Sequence, residues 1–107
     1  MYQLKHYLTH DGVDVIAQWF ESLSDRHAIA RVQLRLDRLE RGLLGDCKPI
    51  SDGVWELRID WGAGYRIYYA QTGSTVLLLL CGGDKRKQQA DIAHAISYWQ
   101  DYQRRTK

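Results

Sequence analysis

The chain has 107 residues, enough for one domain with its own hydrophobic core, and 45% hydrophobic with 26% charged residues is an ordinary globular composition. A formal net charge of +2 is too small to indicate nucleic-acid binding, and no apolar run approaches the ~20 residues of a membrane span or forms the centre of a signal peptide. We therefore expect a single domain over residues 1–107, located in the cytoplasm and without membrane contact.

The first half of the chain predicts a strand and two helices. Alternation in YQLKHYL (residues 2–8) indicates an edge or half-buried strand. A helix follows in DGVDVIAQWFESL, with Asp11 as its candidate N-cap, and a second helix in DRHAIARVQLRLDRLERG is capped by Ser24 and ends at Gly42. We expect the two helices to form an antiparallel hairpin on a sheet. The predicted core stripe of the second helix consists of Ile29, Val32, Leu36, Leu39 and Leu43.

The second helix also carries a stripe of positive charge. Arg31, Arg35 and Arg38 recur on one face at helical spacing. Such a stripe is either a solvated face partly paired with Asp37 and Glu40, or a contact surface for a nucleic-acid backbone or an acidic partner. The pattern is compatible with both interpretations.

From residue 46 the hydrophobic period changes to that of strands. CKPI predicts a short strand, and GVWELRID, GYRIYYAQ and STVLLLLCG predict three more, with glycine-bearing turns between them. The last run is apolar on both faces, as in a strand inside a sheet. QQADIAHAISYWQDYQ predicts a third helix. The order strand, two helices, three or four antiparallel strands, helix is that of an α+β domain with helices packed on one sheet.

The hairpin WELRIDWGAGYRIYY brings two arginines together. Matching the apolar faces of its strands fixes the register, because a slip of one residue would turn every side chain to the wrong face. With a three-residue loop at 61–63, Arg58 lies opposite Arg66 and Glu56 opposite Tyr68. A register shifted by two residues is the alternative.

Two arginines directly opposed across strands destabilise a sheet. Either Glu56 and Asp60 neutralise them in a surface network, or Arg58 and Arg66 form a polyanion site, for which the planar guanidinium suits phosphate oxygens. The next strand ends at a pair of glycines, predicted to form a tight turn that carries Lys85 to the same end of the sheet.

The runs GVWELRIDWGAGYRIYY and LLLLCGGDKRKQQADIAHA, with RLDRLERGLLGDCKPI before them, resemble the bacterial addiction-module killer proteins. These are toxins of type II toxin–antitoxin pairs in the RelE/ParE superfamily, and this chain is similar to the HigB group. The pattern combines E-L-R and G-Y-R with G-D-K-x-x-Q-x-x-D-I at residues 83–92, and the similarity extends over nearly the whole chain. The resemblance implies a RelE-like fold with a site on the sheet face.

The resemblance also implies an activity: ribosome-dependent cleavage of mRNA, through attack of a ribose 2′-OH on the neighbouring phosphate, which inhibits translation. Arg66 matches the arginine that stabilises the phosphate in RelE, Arg58 a second basic position, and Lys85 a basic residue after the last strand. Asp84 or Asp91 could supply acid–base function, as acidic residues do in HigB-like enzymes. The residues expected to contact RNA are Lys48, Tyr68, Arg86 and Lys87.

Some positions depart from the RelE pattern. Val54 and Glu56 stand where RelE has basic residues, and the tyrosine that stacks on a base in RelE has no secure match in Tyr98 or Tyr102. His94 is the only histidine near the site in sequence, and it lies in no motif. Two other functions therefore stay open: a ParE-like inhibitor of DNA gyrase without catalysis, and a degenerate copy that binds its antitoxin without being toxic.

All three functions imply a cognate antitoxin, usually a small helix-turn-helix protein, and operator DNA is contacted only through the toxin–antitoxin complex. The nuclease also implies the ribosome and mRNA as partners. No cofactor and no metal ion is expected. Cys47 and Cys81 lie in no metal-binding motif, so we interpret them as reduced and structural, with a zinc site as the less favoured alternative.

Overall fold

The computed structural model describes residues 1–107 and contains one five-stranded sheet. The elements are β1 (Gln3–His6), α1 (Val15–Ser22), α2 (Arg26–Glu40), β2 (Cys47–Ser51), β3 (Val54–Ile59), β4 (Tyr65–Thr72), β5 (Val76–Asp84), a 3₁₀ turn (Lys85–Lys87) and α3 (Gln88–Arg105). The sheet order is β1-β5-β4-β3-β2; strands β2 to β5 are antiparallel, and β1 joins β5 in parallel as an edge strand. The predicted α+β, RelE-like element order is confirmed. No helix is both long and apolar enough to cross a membrane.

The sheet separates two hydrophobic cores, because its helices lie on both faces. On one face, residues of α1 and α2 such as Ile16 and Val32 pack against Leu57 of β3. On the other face, Ala95 and Trp99 of α3 pack against the opposite sides of β4 and β5. The apolar run of β5 is buried throughout Leu77–Cys81, as expected for a strand with neighbours on both sides and helices above and below it.

Both N-terminal helices begin at a different residue from the one predicted. Asp14 caps α1, and its carboxylate accepts a hydrogen bond from the backbone N–H of Ala17 at 3.0 Å. Asp25 caps α2 by accepting two backbone N–H groups. Asp11 and Ser24 are suitable capping types, but Asp14 still lies in an extended bridge before α1 and so sets where that helix begins.

The end of α2 lies where glycine predicts it. Gly42 has a φ of +83°, and its N–H bonds the carbonyl of Leu39 at 3.0 Å, while Leu43 bonds the carbonyl of Arg38 at 2.8 Å. These are the two hydrogen bonds of a Schellman motif. Because the helix stops before it, Leu43 is 57% exposed, and its predicted place in the core stripe is wrong.

Candidate functional site

The β3–β4 hairpin has the predicted register. Arg58 pairs with Arg66 across the strands, and Glu56 pairs with Tyr68. A three-residue loop at 61–63 would also pair residues 60 and 64, but the ladder ends at the pair of Ile59 and Tyr65. Residues 60–64 therefore form the connection. Of the two registers that face matching left open, the structure therefore has the one with Arg58 opposite Arg66.

Arg58, Arg66 and Lys85 line one cleft of about 330 Å³ at the loop end of this hairpin. The arginines come from the middle of the sheet, and Lys85 comes from the 3₁₀ turn that follows β5. Gly64 lies between them: a Cβ at this position would be 3.5 Å from the Cβ of Lys85 and 3.9 Å from Nη1 of Arg66. Three cationic groups from separate segments thus face the same space. The other lining residues are Asp46, Ile59, Asp60, Gly62, Ala63 and Tyr65.

A buried carboxylate lies beneath the two arginines. Glu56 has no exposed surface. Its Oε1 accepts a hydrogen bond from Nε of Arg58 at 2.9 Å, and its Oε2 accepts from the hydroxyl of Tyr68 at 3.0 Å and from Nε2 of Gln88 at 2.9 Å. Nε of Arg66 lies 3.5 Å from Oε2, an ion pair without a hydrogen bond. Of the two acids considered for a neutralising surface network, Glu56 pairs with both arginines, but from a buried position, and Asp60 forms no ion pair with either.

This network sets the protonation of its members. Burial acts to raise the pKa of Glu56, but the hydrogen bonds from Arg58, Gln88 and Tyr68, with the charge of Arg66, outweigh it and hold the pKa below its ordinary value. Burial and the neighbouring carboxylate raise the pKa of Tyr68. At neutral pH, Glu56 is therefore ionised and Tyr68 remains a hydrogen-bond donor.

The terminal nitrogens of the arginines are left for a ligand. Glu56 engages Arg58 through Nε, and no protein group accepts from either Nη of Arg58. Nη1 of Arg66 donates only to the carbonyl of Gly64, at 3.3 Å. The side chains of Arg58 and Arg66 are 35% and 12% exposed. Free Nη edges beside an amine are the donors that bind phosphate oxygens in bidentate fashion.

The loop that forms the cleft wall is anchored to α2. Nε1 of Trp61 donates to Asp25 at 3.2 Å, and the guanidinium of Arg31 lies 3.9 Å from the centre of the indole ring. Arg35 donates to the backbone carbonyls of Arg58 and Leu44. These two members of the basic stripe therefore stabilise the hairpin. The expected pairing of the stripe with the acids of α2 is wrong, because no such ion pair forms.

A second cavity of about 390 Å³ adjoins the cleft and shares Ala63 and Tyr65 with it. Asp84 lines this cavity and lies outside the cleft; it pairs with Arg86 at 2.8 Å and caps the 3₁₀ turn. The hydrogen bond from Arg86 lowers the pKa of Asp84. Lys87 lines the same cavity. The structure thus divides the predicted residues of this segment between two adjoining spaces.

Gly82 and Gly83 form no tight turn, since both lie within β5 and neither has a positive φ. A Cβ at Gly82 would lie 2.7 Å from Cε2 of Trp19, with two further indole carbons closer. At Gly83 it would lie 2.8 Å from Cγ of Asp91, with Oδ2 closer. The missing side chain of Gly82 therefore leaves space for the Trp19 ring of α1 on one face of the sheet. The missing side chain of Gly83 leaves space for the Asp91 carboxylate of α3 on the other face. Oδ2 of Asp91 has no hydrogen-bond partner, and burial raises the pKa of this group.

Tyr68 is not available to stack on a base in this structure. It lies on the predicted face of β4, but α3 covers that face, so Tyr68 is fully buried and its hydroxyl is engaged by Glu56. Lys48 lies opposite Glu56 on β2, beyond the cover of α3, and is exposed.

The remaining aromatic and histidine candidates lie on α3. Tyr98 stacks on Tyr7 with ring centres 4.9 Å apart, and Tyr102 stacks on Trp99 at 5.9 Å. His94 is exposed on the same helix, and its ring stacks on Tyr98. None of them lines the cleft.

Gln88 is a site residue that the sequence prediction missed, although it belongs to the G-D-K-x-x-Q pattern. Gln88 is the first residue of α3, and its Nε2 donates a hydrogen bond to Glu56 of β3. An acid inside a strand and directly opposite a tyrosine was the available signal for a buried polar network.

The comparisons with known proteins cover this whole region. Residues 18–97 match the family model described as phage-derived protein, Gp49-like. The chain belongs to the Gp49-like family. A Haemophilus influenzae protein, described only as uncharacterized, is 42% identical over 93 residues, which cover 87% of this chain and 88% of that relative.

The Gp49-like family is RelE/ParE-like and occurs in toxin–antitoxin systems, so the resemblance drawn from the sequence is confirmed at that level. The match includes Arg58, Arg66 and Lys85 of the cleft, and Glu56 and Gln88 of the network beneath it. The site described here therefore lies within the Gp49-like part of the chain.

Proposed function

We propose that this protein is the toxin of a type II toxin–antitoxin system and acts in the cytoplasm as a ribosome-dependent mRNA endoribonuclease, HigB-like in type. The observation that carries the proposal is the convergence of Arg58, Arg66 and Lys85 on one cleft. A cognate antitoxin, a small helix-turn-helix protein, neutralises the single toxin domain, and operator DNA is bound through that complex.

The cleft suits phosphoryl chemistry on RNA. A ribose 2′-OH loses its proton and attacks the adjacent phosphate, the P–O5′ bond breaks, and the leaving 5′-oxygen takes up a proton, which leaves a 2′,3′-cyclic phosphate. Negative charge develops on the phosphorane oxygens during this step, and fixed cationic donors stabilise that charge. Arg66 and Arg58 present Nη groups from neighbouring strands, and Lys85 adds an ammonium from the turn. In this role Arg66 and Arg58 bind the scissile phosphate, and Lys85 stabilises the charge from the other side.

The neighbouring residues have supporting parts in the proposal. Asp84 is ionised and paired, so it holds the turn that carries Lys85. Lys48 is exposed on β2, and Arg86 and Lys87 are exposed at the cavity next to the cleft; in the proposal these three residues contact the RNA backbone on either side of the cut.

The test is expression of the protein in bacteria, followed by primer extension on cellular mRNA. Codon-phased cuts are expected for wild type and should be lost in Arg66→Ala and Lys85→Ala. Arg41→Ala and Lys107→Ala are the matched controls, since both side chains are exposed and far from the cleft. Cuts that persist in the cleft variants would contradict the proposed roles.

Two other results would refute the nuclease. Growth arrest with intact mRNA and altered DNA supercoiling would identify a gyrase inhibitor. Wild-type expression without any growth defect would identify a non-toxic copy that binds its antitoxin.

A further inference from the structure

We propose that Glu56 is a positioning residue: it holds the guanidinium groups of Arg58 and Arg66 so that their Nη edges face the cleft. The inference rests on the proposed nuclease function, and it assigns a part to an acid that lies where RelE carries a basic residue.

Glu56 cannot touch a substrate. It has no exposed surface, and it is not among the residues that line the cleft. It is ionised at neutral pH, since its hydrogen bonds and the nearby guanidinium groups outweigh its burial. Any effect of Glu56 on the reaction must therefore pass through the residues that it contacts.

The carboxylate is itself fixed in orientation. Its two oxygens have different partners: Oε1 accepts from Arg58, while Oε2 accepts from Tyr68 and Gln88. Tyr68 belongs to β4 and Gln88 to α3, so two elements besides β3 determine the plane of the group. An isolated buried carboxylate would be costly, and its retention among paired donors is consistent with a specific geometric role.

The contacts of Glu56 divide each guanidinium into two sides. Nε of Arg58 is bonded to Oε1, and Nε of Arg66 faces Oε2 at 3.5 Å. The Nη groups at the far ends carry no bond to Glu56. The two guanidinium groups on facing strands would otherwise repel each other. The shared carboxylate below them holds both Nη edges toward the cleft.

Neutralisation and positioning predict different values of kcat for Glu56→Gln. The variant keeps the volume and one acceptor oxygen but adds a net positive charge to the site. If Glu56 only neutralises, RNA binding should tighten and turnover should stay unchanged. If it positions, kcat should fall roughly 10- to 100-fold, since small displacements of catalytic groups have effects of that size, while KM stays the same or falls.

The assay is cleavage of a short mRNA on purified ribosomes, with kcat and KM corrected for the folded fraction measured by circular dichroism. Gln88→Leu removes one hydrogen bond to Glu56 and should give a smaller loss of kcat in the same direction. Gln71→Leu is the matched control, because the amide of Gln71 bonds only the backbone carbonyls of Gly73 and Ser74. A folded Glu56→Gln protein with kcat within about threefold of wild type would overturn the proposal.

A second measurement does not depend on cleavage. In ¹⁵N spectra, the hydrogen-bonded Nε–H signal of Arg58 should be protected in wild type and lost in Glu56→Gln, the Nε–H signal of Arg66 should shift strongly in that variant because the facing charge is removed, and inorganic phosphate should perturb the Nη signals of wild type. If wild type cleaves no mRNA but shows these signals, and Glu56→Gln changes them as expected, the nuclease is refuted and the positioning of the arginines remains supported. Nε–H signals that are unchanged in Glu56→Gln would refute the positioning itself.

Discussion

Gly82→Ala should destabilise the protein even though the backbone at this position accepts alanine. Because Gly82 has no positive φ, the substitution would by itself add about 0.4–1 kcal/mol of stability by restricting the unfolded chain. Against this, the new Cβ would lie 2.7 Å from Cε2 of Trp19, with two other ring carbons closer, where ordinary contacts begin at 3.4 Å. The ring must retreat by roughly 1 Å, and such overpacking costs about 1–3 kcal/mol.

The indole makes edge contacts with Phe20 and Tyr65, so a displacement of the ring also disturbs these two contacts. We therefore expect a net loss of about 1–2 kcal/mol in the free energy of unfolding, measured by urea titration with far-UV circular dichroism. In a Trp19→Leu background the ring is gone, and Gly82→Ala should cost less than about 0.5 kcal/mol. A Gly82→Ala protein as stable as wild type, or an equal loss in both backgrounds, would refute this account of the close packing.

Three further predictions concern the polar groups around the site. Tyr68→Phe should lower the free energy of unfolding by about 1.5–3 kcal/mol, because a hydrogen bond to a buried carboxylate is lost. In the control Tyr98→Phe, the hydroxyl removed has no protein partner, and the loss should be less than about 0.5 kcal/mol. Equal urea midpoints for the two variants would contradict this. Since the pKa of Glu56 is held below its ordinary value, its stabilising contribution is present above the unfolded pKa of about 4.3 and is lost as the pH falls through the folded pKa. Urea titrations of wild type and Glu56→Gln should therefore converge on acidification, and a gap that persists at low pH would count against the assignment. Burial raises the pKa of Asp91, so Asp91→Asn should be more stable than wild type at pH 7, with the difference shrinking as the pH falls below the folded pKa; a less stable variant at pH 7 would disprove this.

Local patterns predicted the strands and their pairing well. Alternation within β3 and β4 excluded registers shifted by one residue, and of the two registers left open the one with a three-residue loop correctly places Arg58 opposite Arg66. Helix periodicity likewise found α1, α2 and α3. Capping was less determined, since the starts of α1 and α2 each offer more than one suitable residue, and for α1 the preceding bridge decides between them.

The errors arose where a residue's partner lies far away in the chain. Gly82 and Gly83 have the composition of a turn, but their role is set by Trp19 and Asp91, which approach from helices on opposite faces. Tyr68 was correctly assigned to the polar face of its strand, yet no local pattern shows that α3 covers that face. The burial of Glu56 beneath the cleft likewise depends on α3, whose position no local pattern shows.

The parallel pairing of β1 with β5 has a consequence for synthesis. Gln3 lies beside Val76, which is far along the chain, and the cleft needs Lys85 from just after that strand. Such long-range pairing is slow to form, and translation adds only about 5–20 residues per second. A nascent chain therefore has no assembled cleft until β5 and the turn after it have emerged. For the proposed toxin, no ribosome is exposed to a finished site before Lys85 has been added and has reached the two arginines.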